Sequence, residues 1–378
     1  MKVRIEKQVL ATELGLLQGI VERKSRIPIL TNVHVAASDD HLALTATDLD
    51  VSLCCRCPAE VLSPGAELVN ARKLTDVTRM LPESSVEIES VPAKSRSTSD
   101  DESVDSLAIN CGASRFKLVC HPVNHFPGMR LASGELVSFP VDALGRSIAR
   151  TIFATSQEES RYAMSGALFL VAGDAFQFVT TDGHLLAMAS GGLTNGVGND
   201  LRVVIPRKAL AELQRLASAT GEQHVTFSKD ENHMFFDFGS RRFASRMLAG
   251  QFPTYESVIP QTCDKTLSVE LDGVARAMRR AVLVADQKTH GVRFDFEKGR
   301  LTLTAENREV GESVEIVDID YQEGASSLRV NASFLLDFLS ASDSKRVSLD
   351  FKDGRTPVIV RPIDGTGQHS MVFMPLRA

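Results

Sequence analysis

The sequence predicts an α+β protein built from three repeats, each with two helices packed on antiparallel strands. Two observations predict this class. Segments with helical apolar spacing are followed by short alternating runs typical of β-hairpins, and this order recurs three times along the chain. A chain of 378 residues also exceeds the length of one typical domain. Self-similarity of this kind indicates three copies of one folding unit.

Each repeat opens with a predicted helix. The apolar residues of its buried face are Leu10, Leu14, Leu17 and Val21 in the first repeat, Leu144, Ile148 and Ile152 in the second, and Val274, Met278 and Val282 in the third. Asp142 and Asp272 stand where an N-cap residue is expected, since an aspartate oxygen accepts bonds from the first free backbone N–H groups of a helix. We therefore predict that these aspartates cap the second and third of these helices.

A predicted hairpin follows each helix. Its strands are ILTNVHVAA and HLALTATDL in the first repeat, MSGALFLVA and FQFVTTDGH in the second, and THGVRFDFE and RLTLTAENR in the third. Matching positions lie 16 residues apart in every copy: Asn32 and Asp48, Gly166 and Asp182, and Gly291 and Asn307. This constant offset favours one repeated fold over a chance pattern.

The second half of each repeat runs strand, turn and helix, at 67–81, 201–216 and 327–341, and three more alternating runs follow. Phe-Pro occurs at both boundaries, within 125–135 and 251–265, where proline ends β pairing. The predicted domains are therefore residues 1–128, 136–253 and 263–378. The Ser- and Asp-rich stretch 92–104 is interpreted as an exposed insertion, or alternatively as a phosphorylated docking loop.

Composition excludes several classes of protein. The chain is 43% hydrophobic and 24% charged, and no apolar run reaches the roughly 18 residues of a membrane span. The N-terminus has no apolar signal region, so a cytoplasmic location without membrane contact is expected. The six cysteines lack the paired spacing of zinc sites and are interpreted as small core residues. A soft-metal clip at Cys54, Cys55 and Cys57 is the alternative, but a strand would turn Cys54 to the opposite face. No metal and no cofactor are expected.

The charge is unevenly distributed. The whole chain carries −6, whereas the six predicted helices together carry +6 and the remainder −12. A solvated helix surface is the better explanation for any single basic residue, but their repetition across three domains favours a surface that faces phosphates. These residues are Arg72, Lys73, Arg79, Arg146, Arg150, Arg207, Lys208, Arg215, Arg276, Arg279 and Arg280. No zinc finger, helix-turn-helix or aromatic platform accompanies them. Any nucleic acid would therefore be held by its backbone, without sequence specificity.

Five segments together resemble the DNA polymerase III beta subunit family, the bacterial sliding clamps: RIPIL, LTATDLDV, VTTDGHLLA, GQFPTYESVIP and MVFMPLRA. The resemblance covers essentially the whole chain. It implies a DNA clamp fold in which two copies join head to tail as a six-domain ring around duplex DNA. It also implies a non-catalytic processivity factor of the polymerase III holoenzyme. The implied partners are the replicative polymerase, the clamp loader, translesion polymerases, and mismatch-repair and ligase-type clamp-binding proteins.

The resemblance also implies a hydrophobic pocket between the second and third domains, which receives short Gln-Leu-x-Leu-Phe-type tails. Its residues would be Met164, Thr181, Gly183, His184, Leu185, Leu186, Pro253 and Val258 on one wall, and Asn331, Phe334, Val372, Phe373, Met374, Pro375, Leu376 and Arg377 on the other, with Val360 nearby. Met and Leu side chains form adaptable pockets that accept several partners. Leu185 stands where many relatives have arginine, and Pro357 where many have serine, which leaves the peptide preference open.

Two further sites follow from the resemblance. The DNA-binding residues would be Arg23, Lys24, Arg26, Arg79, Arg161, Tyr162 and Lys208. The dimer interface would join Phe116 and Leu118 of one copy to Leu283 and Val284 of the next, with Glu306, Glu309 and Glu312 pairing with Arg115 or Lys117. Exposed ion pairs of this kind each contribute little free energy.

The sequence is also compatible with two other interpretations. Asp182 and His184 could form a general acid–base pair, but no nucleophile motif accompanies them, and the repeat aligns Asp182 with Asp48 and Asn307. The chain has no phosphate-binding loop, which implies that a separate protein loads it. A clamp-like scaffold paralogue dedicated to repair or drug tolerance would share the same fold, ring and pocket, and so stays an alternative.

Overall fold

The structure is a computed structural model that describes residues 1–22, 25–92, 105–130, 132, 137–195, 200–322, 324–365 and 368–377. The chain divides into two compact units. The first contains Met1–Val141 and Glu212–Met247, and the second contains Asp142–Ala211 and Leu248–Ala378. The predicted insertion lies outside the described residues, apart from Pro92 at its start.

Six α-helices lie in the described residues, two in each predicted repeat. They are α1 Lys7–Leu17, α2 Ala71–Met80, α3 Val141–Ala149, α4 Arg207–Ala219, α5 Leu271–Val282 and α6 Ala332–Ala341. The predicted apolar face of α1 is confirmed, because Leu10, Leu14 and Leu17 are buried, although the helix ends at Leu17, before Val21.

The predicted capping role of Asp142 and Asp272 is wrong. Helix α3 begins at Val141 and α5 begins at Leu271, so each aspartate lies inside the first turn. The cap position of α5 is Glu270, whose side chain makes no capping bond. A carboxylate in the first turn still stabilises a helix, because it faces the positive end of the helix dipole.

The strands alternate with these helices. The first predicted repeat contains β1 Lys2–Glu6, β2 Asn32–Ser38, β3 His41–Thr47, β4 Val51–Pro58, β5 Glu60–Ser63, β6 Gly65–Asn70, β7 Ser85–Val91, β8 Ser106–Cys111 and β9 Ser114–His121. The second contains β10 Val137–Pro140, β11 Gly166–Ala172, β12 Ala175–Thr181, β13 Leu185–Gly192, β14 Leu201–Pro206, β15 His224–Lys229, β16 His233–Asp237 and β17 Arg241–Arg246. The third contains β18 Lys265–Glu270, β19 Gly291–Glu297, β20 Arg300–Asn307, β21 Gly311–Asp318, β22 Ser326–Asn331, β23 Arg346–Phe351, β24 Val358–Pro362 and β25 Gln368–Phe373.

Hydrogen-bonded sheets run across both predicted domain boundaries. In the first unit the strand order is β10-β15-β16-β17-β4-β3-β2-β6-β9-β8-β7-β1-β5. In the second unit one sheet has the order β14-β11-β12-β13-β25-β24-β23-β18, and a smaller one has the order β21-β20-β19-β22. All of these pairings are antiparallel, and those of β17 with β4 and of β13 with β25 cross the boundaries. The ranges 1–128, 136–253 and 263–378 thus stay a prediction that depends on the repeat.

Helices of the second unit pack on its sheets through small and apolar side chains. Val274 and Met278 of α5 share one buried cluster with Phe294 and Phe296 of β19. Full burial of such a side chain contributes roughly 1.5–3 kcal/mol each. This alternation of inward apolar and outward polar residues along β19 is what the sequence pattern predicts.

A buried ion pair ties helix α1 to strand β17 within the first unit. The Arg241 guanidinium donates from Nε and Nη2 to the two oxygens of the Glu13 carboxylate, at 2.8 and 2.6 Å, and from Nη1 to the carbonyl of Ala219 at 2.9 Å. The bidentate contact raises the pKa of Arg241. Removing either partner would leave an uncompensated buried charge.

The cysteines are all free. Cys55, Cys57, Cys111 and Cys120 are buried, as expected of small core residues, while Cys54 and Cys263 are half-buried. Burial raises the pKa of the Cys57 and Cys120 thiols to about 12, so both stay protonated. In the described part of the chain no group of His, Cys, Asp and Glu could hold a metal ion, and no helix is long and apolar enough to span a membrane.

Candidate functional site

The turn between β12 and β13 carries the predicted pocket residues Gly183 and His184, and Thr181 and Leu185 flank it. Its Asp182 carboxylate oxygen accepts the backbone N–H of His184 and of Leu185, both at 2.8 Å. The Thr181 hydroxyl donates to the Leu185 carbonyl at 2.7 Å and accepts the Gly183 N–H at 3.0 Å. Asp182 is therefore used to close the turn, which opposes an acid–base role with His184.

The first repeat contains the same turn. There the Asp48 oxygen accepts the N–H of Asp50 at 2.9 Å and of Val51 at 2.6 Å, and Thr47 donates to the Val51 carbonyl at 3.2 Å. In the third repeat the Asn307 side chain accepts the Glu309 N–H at 2.9 Å. The aligned positions Asp48, Asp182 and Asn307 thus share a local bonding role.

Gly183 and Arg161 fit closely together in this turn. Gly183 has a φ of +91°, a conformation that side-chain-bearing residues rarely adopt. A Cβ atom there would lie 2.6 Å from Nη1 of Arg161. That nitrogen donates to the Asp182 carbonyl, and Nε pairs with Glu158 at 3.0 Å. Arg161, predicted to contact DNA, is thus tied to the turn of the predicted pocket.

Pairing of β13 with β25 brings the C-terminal segment to the same turn. Leu185 lies opposite Phe373, and Leu186 lies opposite Val372. Beyond the strand, the N–H of Met374 donates to the His184 carbonyl at 3.4 Å. Residues from both halves of the predicted pocket, about 190 positions apart in the chain, therefore meet at one sheet edge.

Adjacent members of this set lie on opposite faces of the sheet. Leu185 and Phe373 belong to the core cluster beneath helices α5 and α6, whereas Leu186 and Val372 pack with Phe252 on the other face. All four of these paired side chains are buried, because alternation places neighbours on opposite faces and both faces of the sheet are covered here. These buried side chains form a rigid base beneath the accessible residues of the predicted pocket.

The accessible residues form the surface that a ligand could touch. Gly183, His184, Pro253, Val258, Met374 and Arg377 are exposed; Met164, Asn331, Phe334 and Leu376 are half-buried; Thr181, Val360 and Pro375 are buried. Val258 and Met374 expose 47% and 48% of their surface, so both side chains are available for apolar contact. Asn331 also caps α6, since its side-chain oxygen accepts the Ser333 N–H at 3.0 Å.

A large cavity adjoins this surface and was missed by the sequence analysis. Its volume is about 1100 Å³, and it is bordered by residues 374–377, by β19 and β22, and by the turn 353–355. Arg293 and Arg329 stand directly opposite each other on β19 and β22 at its base. The alternating pattern of β19 and β22 places Arg293 and Arg329 at outward positions, and this pattern in the sequence could have indicated the basic cavity.

The predicted DNA-binding residues differ in accessibility. Arg26, Arg79 and Tyr162 are exposed, and Lys208 is half-buried. Arg23 and Lys24 lie outside the described residues. The exposed residues among the predicted basic helical positions are Arg72, Lys73, Arg79, Arg146, Arg276, Arg279 and Arg280.

Three of the arginines predicted to lie on helices are engaged by other protein groups and are not open phosphate ligands. Arg150 is buried and donates to Asp343 at 2.6 Å. Arg207 donates to the Ile152 carbonyl at 3.1 Å, and Arg215 donates to the Gly15 carbonyl at 2.9 Å. For Arg150 the predicted phosphate contact is wrong, because this residue follows the last residue of α3 and its side chain is buried in the second unit.

The residues predicted for the dimer interface lie beside open strand edges. On β9, Phe116 is 39% exposed and Leu118 is half-buried. Strand β9 pairs with β6 only at residues 120 and 121, so no described strand covers this edge of β9 at 114–119. Leu283 is 80% exposed and Val284 half-buried just after α5. In the described residues β21 pairs only with β20, which leaves its other edge open. Open edges with exposed apolar side chains are suited to pairing with another chain.

Three protein-family models match consecutive segments of the chain, in agreement with the threefold repeat. The model of the DNA polymerase III beta subunit N-terminal domain matches residues 1–130, that of the central domain matches 138–254, and that of the C-terminal domain matches 256–377. The matches define a protein made of three consecutive clamp domains.

Relatives match over their whole length. The beta sliding clamp of Caulobacter vibrioides is 33% identical, and that of Pseudomonas aeruginosa is 32% identical, each with both chains fully covered. A crystal structure of the Pseudomonas aeruginosa sliding clamp bound to griselimycin has a TM-score of 0.90 at 32% identity, with full coverage of both chains. The Bacillus subtilis clamp, 24% identical with a TM-score of 0.89, shares the fold. The chain belongs to the DNA polymerase III beta subunit family, as the resemblance predicted.

Proposed function

We propose that this protein is a DNA sliding clamp, a processivity factor without catalytic activity that encircles duplex DNA and tethers a polymerase. The observation that carries this proposal is the match of all three clamp domains, in order, to one chain. Full-length relatives named beta sliding clamp support it.

The ring would form from two copies joined head to tail. The open edge of β9 in one copy would pair with the open edge of β21 in the next, and Phe116 and Leu118 would pack on Leu283 and Val284. Arg115 and Lys117 on β9 are exposed, as are Glu306, Glu309 and Glu312 beside β21, so opposite charges would meet across the contact. These charges would orient the two copies more than they stabilise the dimer.

Duplex DNA would be held by topology and by weak phosphate contacts. Arg26, Arg79, Arg276 and Arg279 are exposed and suited to this role, since an arginine binds backbone phosphates of any sequence, whereas Arg280 is already paired with Glu315. Arg23 and Lys24 belong to the same proposed set.

Partner tails would bind at the turn 181–185 and the segment 374–377. Exposed Met374 and Val258 supply apolar contact, and the buried Leu186 and Val372 provide a rigid floor. Replicative and translesion polymerases, the clamp loader and repair proteins would share this pocket through similar short motifs.

The test is fluorescence polarisation of a labelled Gln-Leu-Ser-Leu-Phe peptide titrated with the protein. We expect saturable micromolar or tighter binding that M374A/L376A weakens by about 10-fold or more, because truncating apolar anchors typically costs ~1–3 kcal/mol each. The matched control is L62A/M80A, which removes exposed side chains of the same types from the first unit. Loss of the dimer in M374A/L376A, or equal weakening in both variants, would contradict the pocket assignment.

A further inference from the structure

The cavity next to the C-terminal segment is rich in arginine. We name it the arginine groove and define it by Arg293, Arg329, Arg355 and the segment 374–377. All three arginines, and Arg377, are exposed. The N–H of Leu376 donates to the Arg329 carbonyl at 2.7 Å, while the N–H of Met374 donates to the His184 carbonyl. The segment 374–377 is therefore a wall shared by the groove and the proposed peptide pocket.

Charges in the groove are incompletely balanced. Arg293 and Arg329 are directly opposite on neighbouring strands, an arrangement that is unfavourable for like charges. Asp295 pairs with Arg293 at 2.8 Å and accepts the Ser327 hydroxyl at 2.7 Å, so its carboxylate is already occupied. Among the described residues no carboxylate lies within ion-pair distance of Arg329, Arg355 or Arg377.

The two acidic residues of the groove do not cancel this charge. The Asp353 carboxylate accepts the N–H of Arg355 at 2.8 Å and of Thr356 at 2.9 Å, bonds that lower its pKa and hold it in its own turn. Glu306 lies on β20 next to Arg293 and helps to raise the pKa of that arginine, but it is two strands away from Arg329 on β22, a separation of about 10 Å. An anion over Arg329 and Arg355 would therefore meet mainly positive charge.

We propose that the arginine groove binds an acidic stretch that adjoins the apolar motif in partner tails. This inference rests on the proposed function, because the shared wall makes the groove continuous with the peptide pocket. Arginine forms paired hydrogen bonds with carboxylates, so aspartate or glutamate side chains are the groups it recognises best. The groove would then select among partners that share the same apolar motif.

The experiment compares five labelled peptides that share the Gln-Leu-Ser-Leu-Phe core. One has the core alone, two add four Asp/Glu residues before or after it, and two add Ser/Gly extensions of the same length as neutral controls. At low salt we expect one acidic extension to tighten binding by roughly 3- to 10-fold, and we expect this gain to vanish at high salt. In R329E/R355E the acidic peptide should bind more weakly than its neutral counterpart, while the core peptide should bind as to the wild type.

The matched control is K298E/R300E, which reverses two exposed charges on the β19–β20 turn outside the groove and should keep the gain. Equal affinity of acidic and neutral peptides for the wild type would overturn the inference and leave the pocket intact. Absence of binding by every peptide would overturn both. Displacement of the acidic peptide, but not the core peptide, by a short single-stranded oligonucleotide of equal charge would assign the groove to nucleic acid and overturn the inference.

Discussion

His369 is a buried titratable side chain in the second unit. It is 6% exposed, and among the described residues neither ring nitrogen has a hydrogen-bond partner. Its ring lies 5.1 Å from that of Phe338. Burial, together with the positive charge of nearby Arg150 and against the opposing effect of Asp343, lowers the pKa of His369 to about 4. The folded protein therefore keeps this imidazole neutral.

This histidine makes stability depend on pH. In the unfolded chain His369 has a pKa of about 6.5 and binds a proton below that pH. In the folded chain the same side chain binds a proton only near pH 4. The free energy of unfolding should thus fall as the pH drops through this window, by up to on the order of 3 kcal/mol. We expect H369F to lose less stability than the wild type between pH 7 and pH 4.5 in urea titrations.

The exposed His121 offers a matched control, since H121F should follow the wild type across the same pH range. Parallel curves for H369F and the wild type would show that His369 does not contribute to the acid sensitivity.

The β12–β13 turn is the element on which the proposed pocket depends. G183A places a side chain at a φ of +91° and forces Arg161 away from the Asp182 carbonyl. We expect a loss of about 1 kcal/mol or more in stability and a clear loss of peptide affinity. Thermal melting measures the stability, and fluorescence polarisation on the same preparation measures the peptide affinity.

Gly173, at a φ of +55° in the β11–β12 turn, has no atom within 4 Å of an added Cβ. G173A should lower stability through backbone strain alone and leave the peptide affinity unchanged. A similar loss of peptide affinity in G183A and G173A would contradict the proposal that the contact between Gly183 and Arg161 maintains the pocket.

The complete ring is needed for retention on DNA. We expect F116D/L283D to be monomeric in light scattering, because each charge would be buried in the proposed apolar contact. Loaded on a circular plasmid, this variant should dissociate at high salt, whereas the wild type should stay until the plasmid is linearised.

I363D is the matched control, because Ile363 is also an exposed apolar residue of the second unit outside the proposed contact. A dimeric F116D/L283D protein would contradict the proposed interface.

Much of the local structure follows from the sequence alone. The period-2 runs predicted the hairpins that became β2–β3, β11–β12 and β19–β20, and the 16-residue offsets matched turns closed by Asp48, Asp182 and Asn307. The family also followed from residues in order along the chain. Alternation and turn chemistry act between near neighbours, so the sequence carries them directly.

Other features depend on contacts between distant parts of the chain. The pairing of β13 with β25 brings Met374 to His184. The segments that follow α3 and α6 bring Arg150 to Asp343, and the arginine groove forms where β19 and β22 meet the C-terminal segment. Periodicity indicates which face of an element is apolar, but it does not specify which remote element covers that face. Strand register and helix packing settle that question, and with it the position of each candidate site residue.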